Sequence, residues 1–252
     1  MIRVKKIRIP TLPTKEPRKL YVYLPRDYGR SQRRYPVLYM FDGHNVFYDR
    51  DATYGKSWGM KEYLEKTRLP LILVAVECNP EGDRRLSEYA PWDFDAGPRG
   101  RFEGQGKLTM DWICGELKPE IDRRYRTLPD REHTLIAGSS MGGLMTLYAV
   151  TAYNETFSRA AALSTSFWAG EENLPALLQA RELAEPTRIY MDFGSAEDEE
   201  PFCRQMLRAM FSSAELLTGS GADVAARVVP GALHREADWE KRIPVFMDYL
   251  LG

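Results

Sequence analysis

With 252 residues, 44% of them hydrophobic and 28% charged, the chain is long enough to bury a large core without disulfides or metals to staple it. Its 35 basic and 36 acidic residues leave a net charge of −1. That gives no field to capture nucleic acid or an anionic membrane, and no apolar run reaches the roughly 18 residues of a membrane span.

The first ten residues, MIRVKKIRIP, alternate apolar and basic side chains. They lack the continuous apolar stretch of a secretory signal, so the expected location is the cytoplasm. The three cysteines, Cys78, Cys114 and Cys203, are odd in number and scattered. They read as small buried thiols in a reducing compartment, not as a disulfide framework.

In chain order, Arg3–Ile9 and Lys19–Leu24 come first with no helix between them, which predicts antiparallel edge strands. Continuous apolar strands follow at Val37–Phe41, Leu71–Val76, Thr134–Ala137, Ala160–Leu163, Ile189–Phe193 and Val224–Val229. Runs apolar throughout, not alternating, are those of a parallel sheet covered on both faces. Helical patterns lie between them at Leu108–Tyr125, Leu144–Tyr153, Leu174–Leu183, Phe202–Leu217 and Trp239–Leu250, and Pro244 is expected to kink or restart the last. No linker or repeat interrupts the alternation. The expectation is one α/β domain over residues 1–252: a mostly parallel, doubly wound sheet with antiparallel N-terminal edge strands. Right-handed crossovers then place functional residues just beyond the strand C-termini.

The strand Thr134–Ala137 runs into "GSSMGG", where Gly138, Ser140 and Gly142 fit G-x-S-x-G before a helix begins. Small neighbours permit the sharp strand-to-helix turn that projects a nucleophilic serine, and the helix N-terminus favours negative charge beside it. A neutral hydroxyl needs a base. His133 opens the strand at the wrong end, and His44 lies on the correct edge but precedes the serine. His234 follows the strand Val224–Val229, where the base belongs in the order serine, acid, histidine. The acid is sought after Phe193, in "GSAEDEE", with Glu197 the first choice and Asp198 the fallback. The oxyanion donors are assigned to the N–H of Met141, next to the serine, and the N–H of His44, in the loop "MFDGHNVF" after Val37–Phe41.

The chain resembles the α/β-hydrolase "putative esterase" family. That group contains esterase D-type enzymes, feruloyl and acetyl esterases of plant polysaccharides, siderophore-ester hydrolases and mycolyltransferases. The resemblance rests on "YPVLYMFDGHNVF", "RRLSEYAPW", "GELKPEIDRRYRT", "HTLIAGSSMGGLMTLYA", "AALSTSFW", "YMDFGSAEDE" and "VVPGALHREADWEKRIPVFMDYL", in family order over roughly residues 20 to 250. It implies Ser140 as nucleophile, His234 as base and the His44 and Met141 N–H groups as the oxyanion hole. S-formylglutathione hydrolases of this group carry a histidine before the elbow serine; Ser139 stands there here.

Substrate contacts are expected from Phe47, Arg85, Tyr89, Trp92 and Trp168, with Tyr48, Phe167, Arg84 and Glu88 nearby and Pro91–Gly106 as a candidate flap. Trp58 and Trp112 are assigned to packing, and Trp239 to docking the last helix and fixing the histidine loop. The expected substrate is a small-molecule or oligosaccharide ester, with short acyl, acetyl or feruloyl groups on a carbohydrate, and oligomer formation is left open. A catechol trilactone siderophore is the alternative, favoured by a basic rim; a non-catalytic binding protein on a hydrolase scaffold is the alternative of another class. No cofactor is called for, and no His/Cys cluster with ligand spacing is seen in the sequence that would hold a metal.

Overall fold

Both faces of the central strands are covered, which is why their sequences read as unbroken apolar runs: Val37–Met40 and Ile72–Val76 are buried at every residue. The computed structural model describes residues 1–14 and 16–252. In chain order the strands are β1 (Ile2–Ile7), β2 (Arg18–Tyr23), β3 (Val37–Met40), β4 (Ile72–Val76), β5 (Phe94–Asp95), β6 (Arg101–Phe102), β7 (Thr134–Ser139), β8 (Arg159–Leu163), β9 (Arg188–Gly194) and β10 (Asp223–Val229). The helices are α1 (Met60–Thr67), α2 (Arg84–Glu88), α3 (Gly106–Trp112), α4 (Lys118–Arg124), α5 (Met141–Ala152), α6 (Asn173–Gln179), α7 (Glu200–Gly219), α8 (Glu236–Glu240) and α9 (Ile243–Leu251).

Eight strands form one sheet in the order β1-β2-β4-β3-β7-β8-β9-β10. β2 is antiparallel to both β1 and β4, and every other pairing is parallel. Along each strand, side chains alternate between two cores. Ile136, Ala160, Ala162, Ile189 and Met191 face one core with α4, α5 and α7; Leu135, Ala137, Ala161, Leu163 and Tyr190 face the other with α1 and α9. The sheet is therefore doubly wound. α5, buried from Met141 to Thr151, is apolar all round because it is enclosed.

The expected helix Leu108–Tyr125 is present as α3 and α4, joined by a wider turn of π-helix at Ile113–Leu117. Pro119 has no N–H to offer the carbonyl four residues back, so the regular ladder gives way there. Likewise Trp239–Leu250 divides into α8 and α9, with Pro244 in the first turn of α9. The stretch Pro91–Gly106 is not all loop: β5 and β6 pair as a hairpin. α1 and α2 have no counterpart in the sequence reading. α1 buries only Met60 and Leu64 and α2 is five residues long, so neither shows a wide apolar stripe.

The sheet sets out its functional loops along the C-terminal edge of the parallel strands. One of them depends on a single glycine. A Cβ on Gly43, just beyond β3, would lie 2.8 Å from backbone atoms of Ala75 and Val76 in β4. Gly43→Ala is expected to push this loop off the sheet at a cost of about 1–3 kcal/mol. Thermal unfolding checks it: the midpoint falls by roughly 2–4 °C per kcal/mol for a chain of this size, and an unchanged midpoint refutes the packing argument.

Candidate active site

Ser140 stands between β7 and α5 at φ 59° and ψ −124°, a backbone conformation that costs a non-glycine residue about 1–3 kcal/mol. Its backbone is held on both sides. The N–H donates to Leu163 O at 3.0 Å, and the carbonyl accepts from Gly143 and Leu144 in α5 and from Ser166 beyond β8. The turn is so tight that a Cβ on Gly138 would lie 2.6 Å from the Gly142 carbonyl oxygen. At the start of α5 the Met141 N–H makes no hydrogen bond to any described residue, and neither does that of His44. Such unclaimed donors at a helix start suit a developing anion.

Beyond β10, His234 places Nδ1 2.8 Å from Glu197 Oε2, and its ring packs edge-on against Trp239 at 5.1 Å. Glu197, beyond β9, has a side chain only 2% exposed. Its other oxygen, Oε1, accepts from Ser164 Oγ at 2.5 Å and the Gly194 N–H at 2.6 Å, with Arg242 Nη2 at 3.5 Å. Asp198 is exposed and turns to the Glu199 N–H, so it does not reach the histidine. Ser140 and His234 line the same cavities. The Ser140 hydroxyl, however, sits 3.2 Å from Ser166 Oγ and makes no hydrogen bond to His234. His133 is bound to Asp130 at 2.7 Å, away from these groups.

The loop after β3 is gripped by Asp42, itself at φ 54°. Arg85 forks onto both carboxylate oxygens at 2.7 Å each, and Tyr89 Oη accepts the Asp42 N–H at 3.0 Å. Burial alone raises the Asp42 pKa, but the Arg85 guanidinium more than offsets it and holds the carboxyl below the usual carboxylate range. His44 Nε2 lies 3.1 Å from Thr53 Oγ1, and burial lowers the pKa of its ring, which favours the neutral form. Asn45 Nδ2 donates to Glu236 Oε1 at 3.1 Å, tying this loop to the segment that carries His234.

Contrary to the expectation that no His/Cys cluster has ligand spacing, one group of side chains does come close enough to invite a metal. The donor atoms of Asp42, His44 and Cys78 lie within 4.8 Å of one another. The fit is poor: the Arg85 guanidinium occupies both Asp42 oxygens at 2.7 Å and already matches the carboxylate's charge.

Two cavities meet at Ser140, sharing Arg85, Leu86, Arg99, Ser140 and His234. The larger, about 720 Å³, carries five carboxylates, Asp42, Asp51, Glu77, Asp83 and Glu236, against the arginines Arg85 and Arg99. The other, about 500 Å³, has an apolar wall of Met141, Trp168, Phe193, Phe202 and Met206 facing polar groups that include Arg99, Ser166 and Asp198.

Several expected substrate contacts are corrected by burial. Phe47 is 2% exposed and packs on Tyr21 and Tyr48; Tyr89, equally buried, packs edge-on against Phe41 and braces Asp42. Trp92 stacks edge-on against Tyr148 and lines neither cavity, and Glu88 is buried against Arg18 and the Asn79 N–H. Arg85 does line both cavities, but its charge is committed to Asp42; Trp168 lines the smaller one. Trp239 packs on Trp58 at 5.5 Å and on the histidine ring, so it docks the C-terminal segment and backs His234. Sequence reasoning missed Ser164, Ser166, Arg242 and Asp42. The pieces "AALSTSFW", "YPVLYMFDGHNVF" and "VVPGALHREADWEKRIPVFMDYL" contain all four, but nothing in them marks which side chains meet in the fold.

A mostly parallel sheet with one reversed strand, and a serine at a strained turn between its central strand and a buried helix, define the α/β-hydrolase fold. The chain belongs to the family described as "Putative esterase", whose sequence model matches residues 12–248, and it is a carboxylic ester hydrolase. Among curated relatives it is 26% identical over 245 residues to the uncharacterized protein YbbA of Bacillus subtilis, covering 93% of each chain. It is also 26% identical over 229 residues to the endo-1,4-beta-xylanase/feruloyl esterase of Xylanibacter ruminicola, covering 87% of this chain and 27% of that protein. Of solved structures, an IroE-like serine hydrolase from Shewanella oneidensis superposes with a TM-score of 0.77 at 21% identity, covering 99% of this chain and 79% of that one.

Proposed function

We propose that this chain, acting as one domain, is a serine esterase that cleaves acetyl or feruloyl-type esters of neutral carbohydrates through Ser140, His234 and Glu197. The observation that carries the reading is the pairing of His234 with a buried, hydrogen-bonded carboxylate in the cleft of the strained serine. A change of the Ser140 rotamer turns its hydroxyl from Ser166 to His234 Nε2; catalytic hydrogen bonds in an unliganded site are often made only when substrate binds. His234 takes the serine proton as Oγ attacks the ester carbonyl carbon. The N–H groups of Met141 and His44 then receive the oxyanion. The alcohol leaves with the proton from His234, and water, deprotonated by the same ring, releases the acid and restores Ser140.

The apolar wall of the smaller cavity suits an acyl group, aromatic ones included, and the larger, more polar cavity a hydroxyl-rich alcohol. The feruloyl esterase activity named for the Xylanibacter ruminicola relative agrees with this division. With Asp42 paired to Arg85, four further carboxylates face Arg99 on the polar side, which suits a neutral alcohol and opposes the trianion of a ferric catechol complex. The test is a panel of acetylated sugar, methyl ferulate, p-nitrophenyl acetate and butyrate, and a catechol trilactone. Turnover of a neutral ester with the trilactone inert is the expected result. Preference for the trilactone overturns the substrate assignment, and an enzyme inert on all of them favours the scaffold reading.

A further inference from the structure

The motif "AALSTSFW" brings Ser164 to the end of β8, where it is fully buried at φ 48°. A serine kept in the left-handed region inside a protein is held there by its surroundings, so what it touches matters. Its hydroxyl has three neighbours. Trp239 Nε1 lies at 2.9 Å, Arg242 Nη1 at 3.0 Å and Glu197 Oε1 at 2.5 Å. Indole and guanidinium groups only donate, and a hydroxyl has one proton and two lone pairs. Both lone pairs are therefore taken, and the proton has one place to go: the Glu197 carboxylate.

Arg242 is fixed in turn. Its Nη1 also donates to Asp192 Oδ1 at 2.7 Å, and Asp192 Oδ2 accepts from Tyr190 Oη at 2.9 Å. Arg242 and Asp192 are both buried, so the guanidinium has no water to turn to. With Ser164, Gly194 and Arg242 on Oε1, the only oxygen of Glu197 left to His234 is Oε2, and it can only accept.

We propose that Ser164 is a positioning residue: its hydroxyl, saturated by Trp239 and Arg242, locks the Glu197 carboxylate in place so that Oε2 stays against the His234 Nδ1–H and fixes the ring. The inference rests on the catalytic reading above for its effect on rate, but the lock itself does not.

The test is Ser164→Ala, read in two ways. The first reading is ¹⁵N NMR of the imidazole rings, with only three histidines to assign. Wild type shows His234 protonated on Nδ1 when neutral, with that proton held far downfield by Glu197 Oε2; in the variant the carboxylate, one donor short on Oε1, swings and the Nδ1 proton signal moves upfield and broadens. The second is steady-state kinetics on the best ester: kcat falls about 10- to 100-fold, the range for removing an outer partner of a functional ligand, with KM within about threefold. Where Ser164→Ala fails to fold, Ser164→Cys keeps the shape with a weak donor, and the same two changes follow at smaller size. An unaltered Nδ1 proton signal in the folded variant overturns the proposal. So does a wild-type ring protonated mainly on Nε2. A wild type inactive on every ester, with the Nδ1 proton change intact, removes the catalytic reading and leaves the lock standing.

Discussion

Ser140→Ala is expected to lower kcat by about six orders of magnitude, the loss seen when the nucleophile is removed from a serine hydrolase site. On the proposed mechanism the fall is large because the triad acts as a unit: without Oγ there is no acyl-enzyme, and His234 has no proton to take. Some rate above that in water remains, since Met141 and His44 still offer their N–H groups to an oxyanion. The fold is expected to survive. The backbone bonds from Ser140 to Leu163, Gly143, Leu144 and Ser166 do not involve the hydroxyl, which touches only Ser166. Kinetics beside a melting curve check both halves. A folded variant retaining more than a few per cent of wild-type kcat would show that another group is the nucleophile.

Glu197→Gln is expected to cost about 10⁴ in kcat with little change in KM, the size of effect produced when the histidine is left in the wrong tautomer. The geometry says why. Oε1 of Glu197 faces three donors, from Ser164, Gly194 and Arg242, so the glutamine must keep its carbonyl oxygen there. Its NH₂ then points at His234 Nδ1, which can only accept, and the ring proton moves to Nε2, where the base should be free. Asp198→Asn is the control. Asp198 is exposed and bonded to the Glu199 N–H, so the rate stays within about twofold, the surface substitution leaving stability within about 0.5 kcal/mol. If Asp198→Asn falls further than Glu197→Gln, the acid has been misassigned.

How much was legible in the sequence depended on how local the physical demand was. The strand-to-helix turn at Ser140 announces itself because so tight a turn needs small residues at its close approaches, and Gly138, Ser139, Gly142 and Gly143 supply them on either side of Ser140 and Met141. The central parallel strands were legible because burial on both faces disfavours polar residues; β9 admits Asp192 only because Arg242 pairs with it, and β10, expected as a buried strand, lies at the sheet edge, where none of its residues is buried. A stretch such as "SAEDEE" locates a loop rich in carboxylates but cannot rank them. The ranking comes from the Gly194 N–H and from Ser164, 33 residues earlier. Arg242 and Asp192 are 50 residues apart in the chain and meet only in the folded core. Aromatics misled for a related reason. Phe47 and Tyr89 lie near the right loops, yet large rings gain more from burial than from lining a cleft, and the half-buried Trp92 packs on Tyr148 instead. Tyr89 and Arg85 do contribute to the site, as braces for Asp42 behind the loop that carries His44.

The central claim is that Ser140 is the residue that attacks an ester. A fluorophosphonate tests it directly, because attack on phosphorus expels fluoride and leaves a stable adduct on the attacking oxygen. Intact-mass measurement and peptide mapping of the treated protein should show one added phosphonyl group, on the peptide containing Ser140, with esterase activity lost in step. No adduct, or an adduct on any other residue that accounts for the inactivation, would contradict the account.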